Sequence, residues 1–360
     1  MASPQVAPSL DQEKLDLFLG RFLGDLGAMM NGPAVLLGDR LGYWRCLAES
    51  GPIDSAGLAR RTGTAERAAR EWLAAQAAAG YLDYDPRDGR YSLPPEQAAV
   101  LADDASPVYL GGFFEIAASA WRDEPRITES YRHGRGLGWH ERDGCLFCGT
   151  ERFFATSYRH LLAQQWLPAL DGILPRLERG ARIADIGCGH GASTLIMARA
   201  FPQSRFEGFD YHAASVAAAT EAAARAGLAD RAHFTVARAK EVPGQGLYDL
   251  VCLFDCLHDM GDPVGAAAHL RGLLRPDGML MVVEPRAGDR VEDNLNPVGR
   301  VYYAASALIC TPASMAQEVG AALGAQAGPA RLRAVLGEAG FGHVRLAAET
   351  PFNMVIEARP

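Results

Sequence analysis

The sequence predicts an α/β protein in which a parallel sheet with helices on both faces follows a mainly helical module. Three observations carry that expectation. From Trp166 onward, apolar strand-like runs alternate with helical ones. A glycine-rich turn, ADIGCGHGAST at 184–194, joins the first of these strands to a helix. The first hundred or so residues follow a different order, helix, helix and hairpin.

Composition narrows the function classes. At 360 residues and 49% hydrophobic, the chain is long enough for two domains and at least one large core. A net charge of -8 argues against wholesale binding to nucleic acid or anionic membrane, because phosphate contacts need clustered Lys and Arg. Seven cysteines (46, 145, 148, 188, 252, 256 and 310) are scattered, which suits reduced thiols in a cytoplasm better than a disulfide framework. The N-terminus lacks a basic flank followed by an apolar core, and no apolar run reaches the ~18 residues of a spanning helix. A cytoplasmic protein is expected.

After a polar lead, Leu15, Phe18, Phe22, Leu26 and Met30 recur at steps of three and four, so they share a helix face that must be buried against something. Residues 35–104 then read as a helix to about Ser50, the segment SAGLARRTG, a longer helical run TAERAAREWLAAQAAAGY, and LDYDPRDGRYSL, where PRDG turns a hairpin. That is the order of a winged helix. Many such modules bind DNA, but this one sets eight arginines against eleven acids, and its second helical run turns into alanines that offer nothing to base edges. Residues 1–105 are therefore expected to form a dimerisation or structural domain. Residues 106–165, rich in Gly, aromatics and charge without sustained periodicity, read as a linker that also covers a site.

Residues 166–360 carry the alternation: ARIADIG, STLIMARAF, SRFEGFD, ASVAAATEAAARAG, AHFTVA, YDLVCLF, AAAHLRGLL and GMLMVVEP. HVRLAAE and FNMVIEAR, two period-2 strands, add an antiparallel pair at the end. In ADIGCGHGAST, Gly187, Gly189 and Gly191 let the backbone turn tightly and approach a ligand with no Cβ in the way. Nineteen residues after Gly191, Asp210 ends the next strand, where a carboxylate can accept both hydroxyls of a ribose. The pair points to an adenosine-containing ligand. The spacing leaves open which one, because Gly187, Gly189 and Ala192 also satisfy the looser dinucleotide fingerprint.

Asp185-Ile-Gly-Cys-Gly-His-Gly191, Phe209-Asp210, the Tyr248-Asp249-Leu-Val strand, Leu274-Arg-Pro-Asp-Gly278 and the terminal hairpin occur in a telling order. In that order residues 165–360 resemble class I S-adenosylmethionine-dependent methyltransferases. With its winged-helix front the chain resembles the small-molecule O-methyltransferases. Phrases such as CLHDMGDP, DNLNPVGR and TPFNMVIEARP are similar to those of an actinobacterial group of winged-helix methyltransferases. The resemblance implies a Rossmann-like seven-stranded sheet with its last strand antiparallel, a homodimer through the N-terminal helices, and S-adenosyl-L-methionine as cofactor. It implies that Asp185, Gly187, Gly189 and Gly191 lie along the methionine and ribose part of that cofactor, with Asp210 on the ribose and Tyr211 by the adenine. Many relatives place after the third strand an Asp that bonds the adenine amino group. Arg238 stands there instead, which leaves the backbone of Ala239 as the contact.

The stretch LFDCLHDMGDP, residues 253–263, places one histidine among acids directly after a buried-type strand. Ligands of an open α/β sheet sit beyond the carboxyl ends of its strands, so Asp255 to Asp259 are expected in the pocket, Asp255 against the cofactor. Leu257-His258-Asp259 is similar to the O-methyltransferase motif whose histidine is the general base, and Glu284 at the end of GMLMVVEP matches the acid that orients it. The chemistry fits, since a phenol or carboxylic acid must lose its proton to attack a sulfonium methyl. An imidazole titrating near neutrality, held in one tautomer by a carboxylate, suits that task. His258 and Glu284 are thus the catalytic candidates. The alternative is that His258 and Asp259 cap the helix starting near Asp262-Pro263, a role Asp262 performs better. A second supporting acid found in some relatives has no match at 310–330, so carbon or nitrogen methylation stays open.

Trp139, His140, Phe154 and Tyr158 precede the sheet, where the resembling enzymes close over cofactor and acceptor, and Tyr158 is expected at the methionine end. Asn296 and Tyr303, in DNLNPVGRVYYAAS, either present polar groups to the acceptor or belong to a turn set by Pro297 and Gly299. Cys145 and Cys148 form a single CxxC without the four ligands zinc wants, so no metal is expected. The resulting expectation is methyl transfer from S-adenosyl-L-methionine to a small aromatic or apolar acceptor. A ligand-sensing winged-helix regulator and a nicotinamide-dependent reductase are the readings from other classes.

Overall fold

The computed structural model describes residues 10–360, so most of the polar N-terminal lead lies outside the described residues. The chain divides into two compact units, one up to Phe114 and one from Glu115.

The first unit comprises α1 (Gln12–Arg40), α2 (Tyr43–Ser50), α3 (Ser55–Thr62), α4 (Glu66–Ala78), the hairpin β1 (Asp83–Asp85) and β2 (Arg90–Ser92), and α5 (Pro95–Leu101). This is the winged-helix order read from the sequence. The Asp11 carboxylate caps α1 by accepting the Lys14 N–H, and Gly42 at φ 71° turns the chain into α2. Helix α1 is one continuous element through Pro33, where the sequence suggested two pieces. Its second half is fixed by indole donors: Trp44 Nε1 to the Val35 carbonyl at 3.0 Å and Trp72 Nε1 to the Ala34 carbonyl at 2.7 Å. Its first half has no such cover among the described residues. Of the face expected to be buried, Phe18, Phe22, Leu26 and Met30 are all exposed, Met30 to 72%.

In the second unit α6 (Gly112–His133), α7 (Cys145–Ser157), a π-helical continuation (Tyr158–Trp166) and α8 (Leu174–Arg179) lead into the sheet. The segment expected to be an irregular linker is therefore largely helical. Helix α6 buries Ile116, Ser119, Asp123, Ile127 and Ser130 at helical spacing, and three of those five are polar, which hid the periodicity.

The strands are β3 (Arg182–Ile186), β4 (Arg205–Asp210), β5 (Ala232–Val236), β6 (Tyr248–Phe254), β7 (Leu274–Pro285), β8 (His343–Glu349) and β9 (Asn353–Arg359). They form one seven-stranded sheet in the order β5-β4-β3-β6-β7-β9-β8. β3 to β7 pair in parallel, and β9 is antiparallel to both its neighbours, as the resemblance implied. Helices α9 (Ala192–Ala200), α10 (Ala213–Arg225), α11 (Pro263–Leu273), α12 (Pro297–Ala305), α13 (Thr311–Met315) and α14 (Pro329–Glu338) complete the unit. Burial on both faces explains why all seven residues of Tyr-Asp-Leu-Val-Cys-Leu-Phe in β6 are inaccessible. One core layer joins Leu162, Trp166, Ile183, Phe206 and Met281; the other joins Ile186, Leu253, Leu270, Val282 and Leu336. No helix among the described residues is long and apolar enough to cross a membrane, and no disulfide joins the cysteines.

The antiparallel end of the sheet is held by a buried carboxylate. Glu357 is fully inaccessible and accepts from Arg345 at 2.5 Å, Arg359 at 2.6 Å and the Asp171 backbone N–H at 3.0 Å. Burial disfavours its charge, but these donors outweigh that and lower its pKa. Glu357→Ala removes the carboxylate that Arg345 and Arg359 share, leaving them the Ala169 and Asp171 carbonyls, and is expected to cost about 2 kcal/mol in urea unfolding near neutral pH. Because the folded pKa is lowered, the difference between wild type and variant is present above the ordinary carboxylate range and disappears as pH falls through the folded value.

Candidate active site

β3 and β6 lie side by side, and the chain leaves β3 toward β4 on one side and resumes at β6 on the other. Such a reversal opens a crevice beyond the carboxyl ends of the strands. A cavity of about 370 Å³ lies there, lined by the glycine loop, the end of β4, the turns after β5 and β6, and residues of α7 and α13.

The loop is shaped by its own hydrogen bonds. Gly187 and Cys188 N–H both donate to the Phe209 carbonyl, at 2.7 and 3.1 Å, and Gly189 N–H donates to Asp210 Oδ2 at 2.9 Å. Asp210 Oδ1 accepts the His212 N–H at 2.8 Å. Gly187 and Gly189 line the cavity with left-handed backbones, and the space a Cβ would occupy at Gly189 is open. Gly191 is different. It stands outside the lining at φ 81°, where a Cβ would press on the Phe234 ring at 2.8 Å, so glycine there serves the turn into α9. Asp185 is also outside the lining; Oδ2 accepts the Ser193 and Thr194 hydroxyls at 2.6 Å each, and Oδ1 is buried without a hydrogen bond. Burial pushes its carboxyl up to about 6 against the lowering effect of those hydroxyls.

At the far end of β4, Asp210 and Tyr211 line the cavity, and Ala239 and Arg238 face it from the turn after β5. Residues that the sequence did not single out join them. Phe147 stacks on the His212 ring at 4.5 Å between centroids, and His190 Nδ1 meets Glu151 at 2.7 Å. Three of the proposed acceptor residues, Trp139, His140 and Phe154, also line the cavity. Asn296 and Tyr303 do not. Asn296 Oδ1 accepts the Gly299 N–H at 2.9 Å as the N-cap of α12, which is the turn role weighed for it above. Cys145 Sγ accepts from Arg122 at 2.8 Å, on the first turn of α7.

Beyond β6 the backbone of Asp255 adopts φ 49°, a left-handed conformation costly for any residue with a side chain. This turns Leu257–Asp259 back over the end of β7. Glu284 there accepts the Leu257 and His258 N–H groups, at 3.0 and 3.3 Å, and its second oxygen pairs with His258 Nδ1. The candidate pair is thus in direct contact and buried, His258 being 3% exposed. Its other ring nitrogen, Nε2, stands 3.3 Å from Asp259 Oδ1, with Cys310 beside both. Asp259 lines the cavity, whereas His258 and Glu284 lie behind it. Burial opposes charge on the imidazole, but Glu284 and Asp259 on its two sides outweigh that and hold its pKa well above the ordinary value. The capping alternative is answered by Asp262, whose Oδ1 accepts the Gly265 N–H at 2.8 Å ahead of Pro263.

Comparison with known proteins agrees with this architecture. The methyltransferase domain family matches residues 158–315, and the Rv2258c-like winged HTH domain family matches residues 31–103. Trans-aconitate 2-methyltransferase of Shigella dysenteriae serotype 1 is 32% identical over 130 residues, 36% of this chain and 49% of that protein. An uncharacterized protein of Synechococcus, syc1184_c, is 35% identical over 114 residues, 31% of this chain and 27% of that protein. The chain thus spans half or less of the curated relatives it matches. Among solved structures, mitomycin 7-O-methyltransferase MmcR has a TM-score of 0.69 at 22% identity, covering 97% of this chain and 100% of that one. Human N-acetylserotonin methyltransferase, in complex with SAM, has a TM-score of 0.69 at 19% identity and covers 98% and 99%. At such identities the likeness is one of fold. The two matches fall in the order the fold displays, an Rv2258c-like winged HTH domain at residues 31–103 followed by a methyltransferase domain at residues 158–315.

Proposed function

We propose that this protein transfers a methyl group from S-adenosyl-L-methionine to a small, largely apolar acceptor, with oxygen as the favoured acceptor atom. One observation carries the reading: a single cavity runs from the glycine loop and Asp210 to Asp259, the carboxylate that faces the buried His258–Glu284 pair. The chain's residues suit the cofactor. Gly189 leaves space where a side chain would stand, Asp210 keeps lone pairs toward the cavity, and Tyr211 offers a ring beside it. Tyr158 and Asp255, paired on the wall of the same cavity, are assigned to the methionine end. When bound, the cofactor supplies an electrophilic methyl group on a sulfonium.

Trp139, Phe147 and Phe154 give the cavity an apolar wall that excludes water and would align an aromatic or aliphatic acceptor. His258 takes the acceptor's proton, with Glu284 fixing the ring and Asp259 connecting Nε2 to the cavity. Among the similar proteins, MmcR is a mitomycin 7-O-methyltransferase, which supports oxygen as the acceptor atom. The exposed apolar face of α1, from Leu17 to Met30, supports a homodimer formed through the first unit.

Asp210, His258, Asp259 and Phe22 each have an expected outcome. Calorimetry with S-adenosylhomocysteine gives one site per chain, and Asp210→Ala weakens it by roughly 10- to 100-fold, the value of hydrogen bonds to a charged group; no binding to the wild type would end the methyl-transfer reading. Because the imidazole must be neutral to accept a proton and its pKa is raised, turnover climbs with pH above the ordinary histidine range. His258→Gln removes that limb and about 10²- to 10⁴-fold in rate without changing cofactor affinity. Asp259→Asn, by removing one of the two flanking carboxylates, moves the limb to lower pH. Finally, light scattering on a sizing column reads a dimer for the wild type, and Phe22→Asp yields a folded monomer.

A further inference from the structure

Asp255 is a buried carboxylate with no cation of its own. Its Oδ1 accepts from the Asn353 side-chain amide at 2.9 Å, and its Oδ2 is 3.4 Å from the Tyr158 hydroxyl. None of the ion pairs among the described residues includes it. Two neutral donors from distant parts of the chain, the start of β9 and the helix before the sheet, thus hold one acid on the cavity wall, at the part assigned above to the methionine. The backbone carries a left-handed φ of 49° to put it there, a cost that persists only where surrounding structure enforces it.

The charges around it add to the imbalance. Glu284 from β7 and Asp259 from the following turn repel a negative charge on Asp255, and His258 favours it. Tyr158 from the π-helical continuation, Tyr302 from α12 and Cys256 next in sequence are the other titratable groups that face it. Burial first, and then Glu284, raise the Asp255 carboxyl well above its ordinary range. A cation entering the cavity reverses that balance, because it interacts with the carboxylate and not with the protonated acid.

We propose that Asp255 reads the charge of the cofactor: it holds the sulfonium of S-adenosylmethionine as a carboxylate, and takes up a proton when the neutral thioether S-adenosylhomocysteine is in the same place. This rests on the cofactor assignment made above. The donor and the product share adenosine and the amino acid end and differ at sulfur by one methyl group and one positive charge. A carboxylate responsive to that charge favours the donor over the product, and loss of the charge on methyl transfer weakens the product's hold. Asn353 and Tyr158 act as positioning residues, since they orient the carboxylate without neutralising it.

The test is calorimetry on the full chain with both ligands from pH 6 to 9, in buffers of low and high ionisation enthalpy. Affinity for S-adenosylmethionine is expected to rise with pH, by up to about tenfold per unit while the acid titrates, and its heat to reveal proton release that varies with buffer. Affinity for S-adenosylhomocysteine is expected to stay flat, with no buffer dependence. Asp255→Asn, which keeps the shape and an acceptor for the Asn353 amide while its own NH2 donates to the Tyr158 oxygen instead, is expected to weaken the sulfonium ligand by roughly 10- to 100-fold and the thioether by less than about threefold. Equal weakening of both, or of neither, would overturn the proposal, because it would place Asp255 on a part the ligands share or on none. If the variant does not fold, the wild-type comparison decides: parallel pH and buffer responses for the two ligands refute it. Failure of the wild type to bind either ligand would instead refute the cofactor assignment, so the two failures are distinct.

Discussion

The N–H groups of Gly187 and Cys188 converge on the carbonyl of Phe209, the residue before the last one of β4. That shared acceptor draws the loop after β3 across to the neighbouring strand end. Gly189 N–H then falls on the Asp210 carboxylate, and the chain returns to α9 through a left-handed Gly191 packed on Phe234. On the other side, a Cβ at Gly187 would stand 2.9 Å from Cys256 Sγ, and that sulfur donates to the Ile186 carbonyl at 3.2 Å. The glycine loop is therefore wedged between the ends of β4 and β6, and the two halves of the site cannot shift independently. Close-packed interiors transmit a displacement at one wall to the other.

Several acids converge on this small volume, and each is compensated differently. Asp185 holds two hydroxyls from the start of α9 on one oxygen and leaves the other buried without a hydrogen bond. Glu284 receives two backbone N–H groups and an imidazole. Asp259 has the other side of that imidazole and an edge on the cavity. Asp255 has an amide and a phenol. The ordering matters because a low-dielectric site amplifies each difference. The carboxylates at the back of the site are committed to the fold, while those at its edge still have a stake in what enters.

Much of this was legible in the sequence where the signal is local. The glycine loop and Asp210 could be read because strand ends in an α/β sheet fix which residues share a crevice, and the pairing of His258 with Glu284 came from the resemblance of Leu257-His258-Asp259 to the O-methyltransferase motif. The helices of 112–157 could not, since α6 buries Ser119, Asp123 and Ser130, and a polar buried face leaves no apolar period. Asn353 and Cys310 join the site from 98 and more than 50 residues away, through the first residue of β9 and the end of a π-helical stretch, Ser306–Cys310. No spacing rule links them to Asp255 or His258. The exposed face of α1 was read correctly as apolar and amphipathic, but an apolar period says that a face needs cover, not that its own chain supplies it.

Glu284 explains why the turn after β6 can hold its strained start. Asp255 still donates its backbone N–H to the Val283 carbonyl at 2.8 Å, so the ladder with β7 continues through the very residue that leaves the strand. The left-handed φ that follows would cost on the order of 1–3 kcal/mol if nothing opposed it. Two N–H groups of the next turn then find Glu284 Oε1, each a buried charge-assisted bond that offsets a comparable amount. The same carboxylate thus folds the turn with one oxygen and orients the imidazole with the other. A turn built this way brings Asp255 and Asp259 to the cavity on either side of a histidine kept out of water. The orientation of the imidazole and the placing of the two acids that line the cavity are consequently set by one side chain on the neighbouring strand.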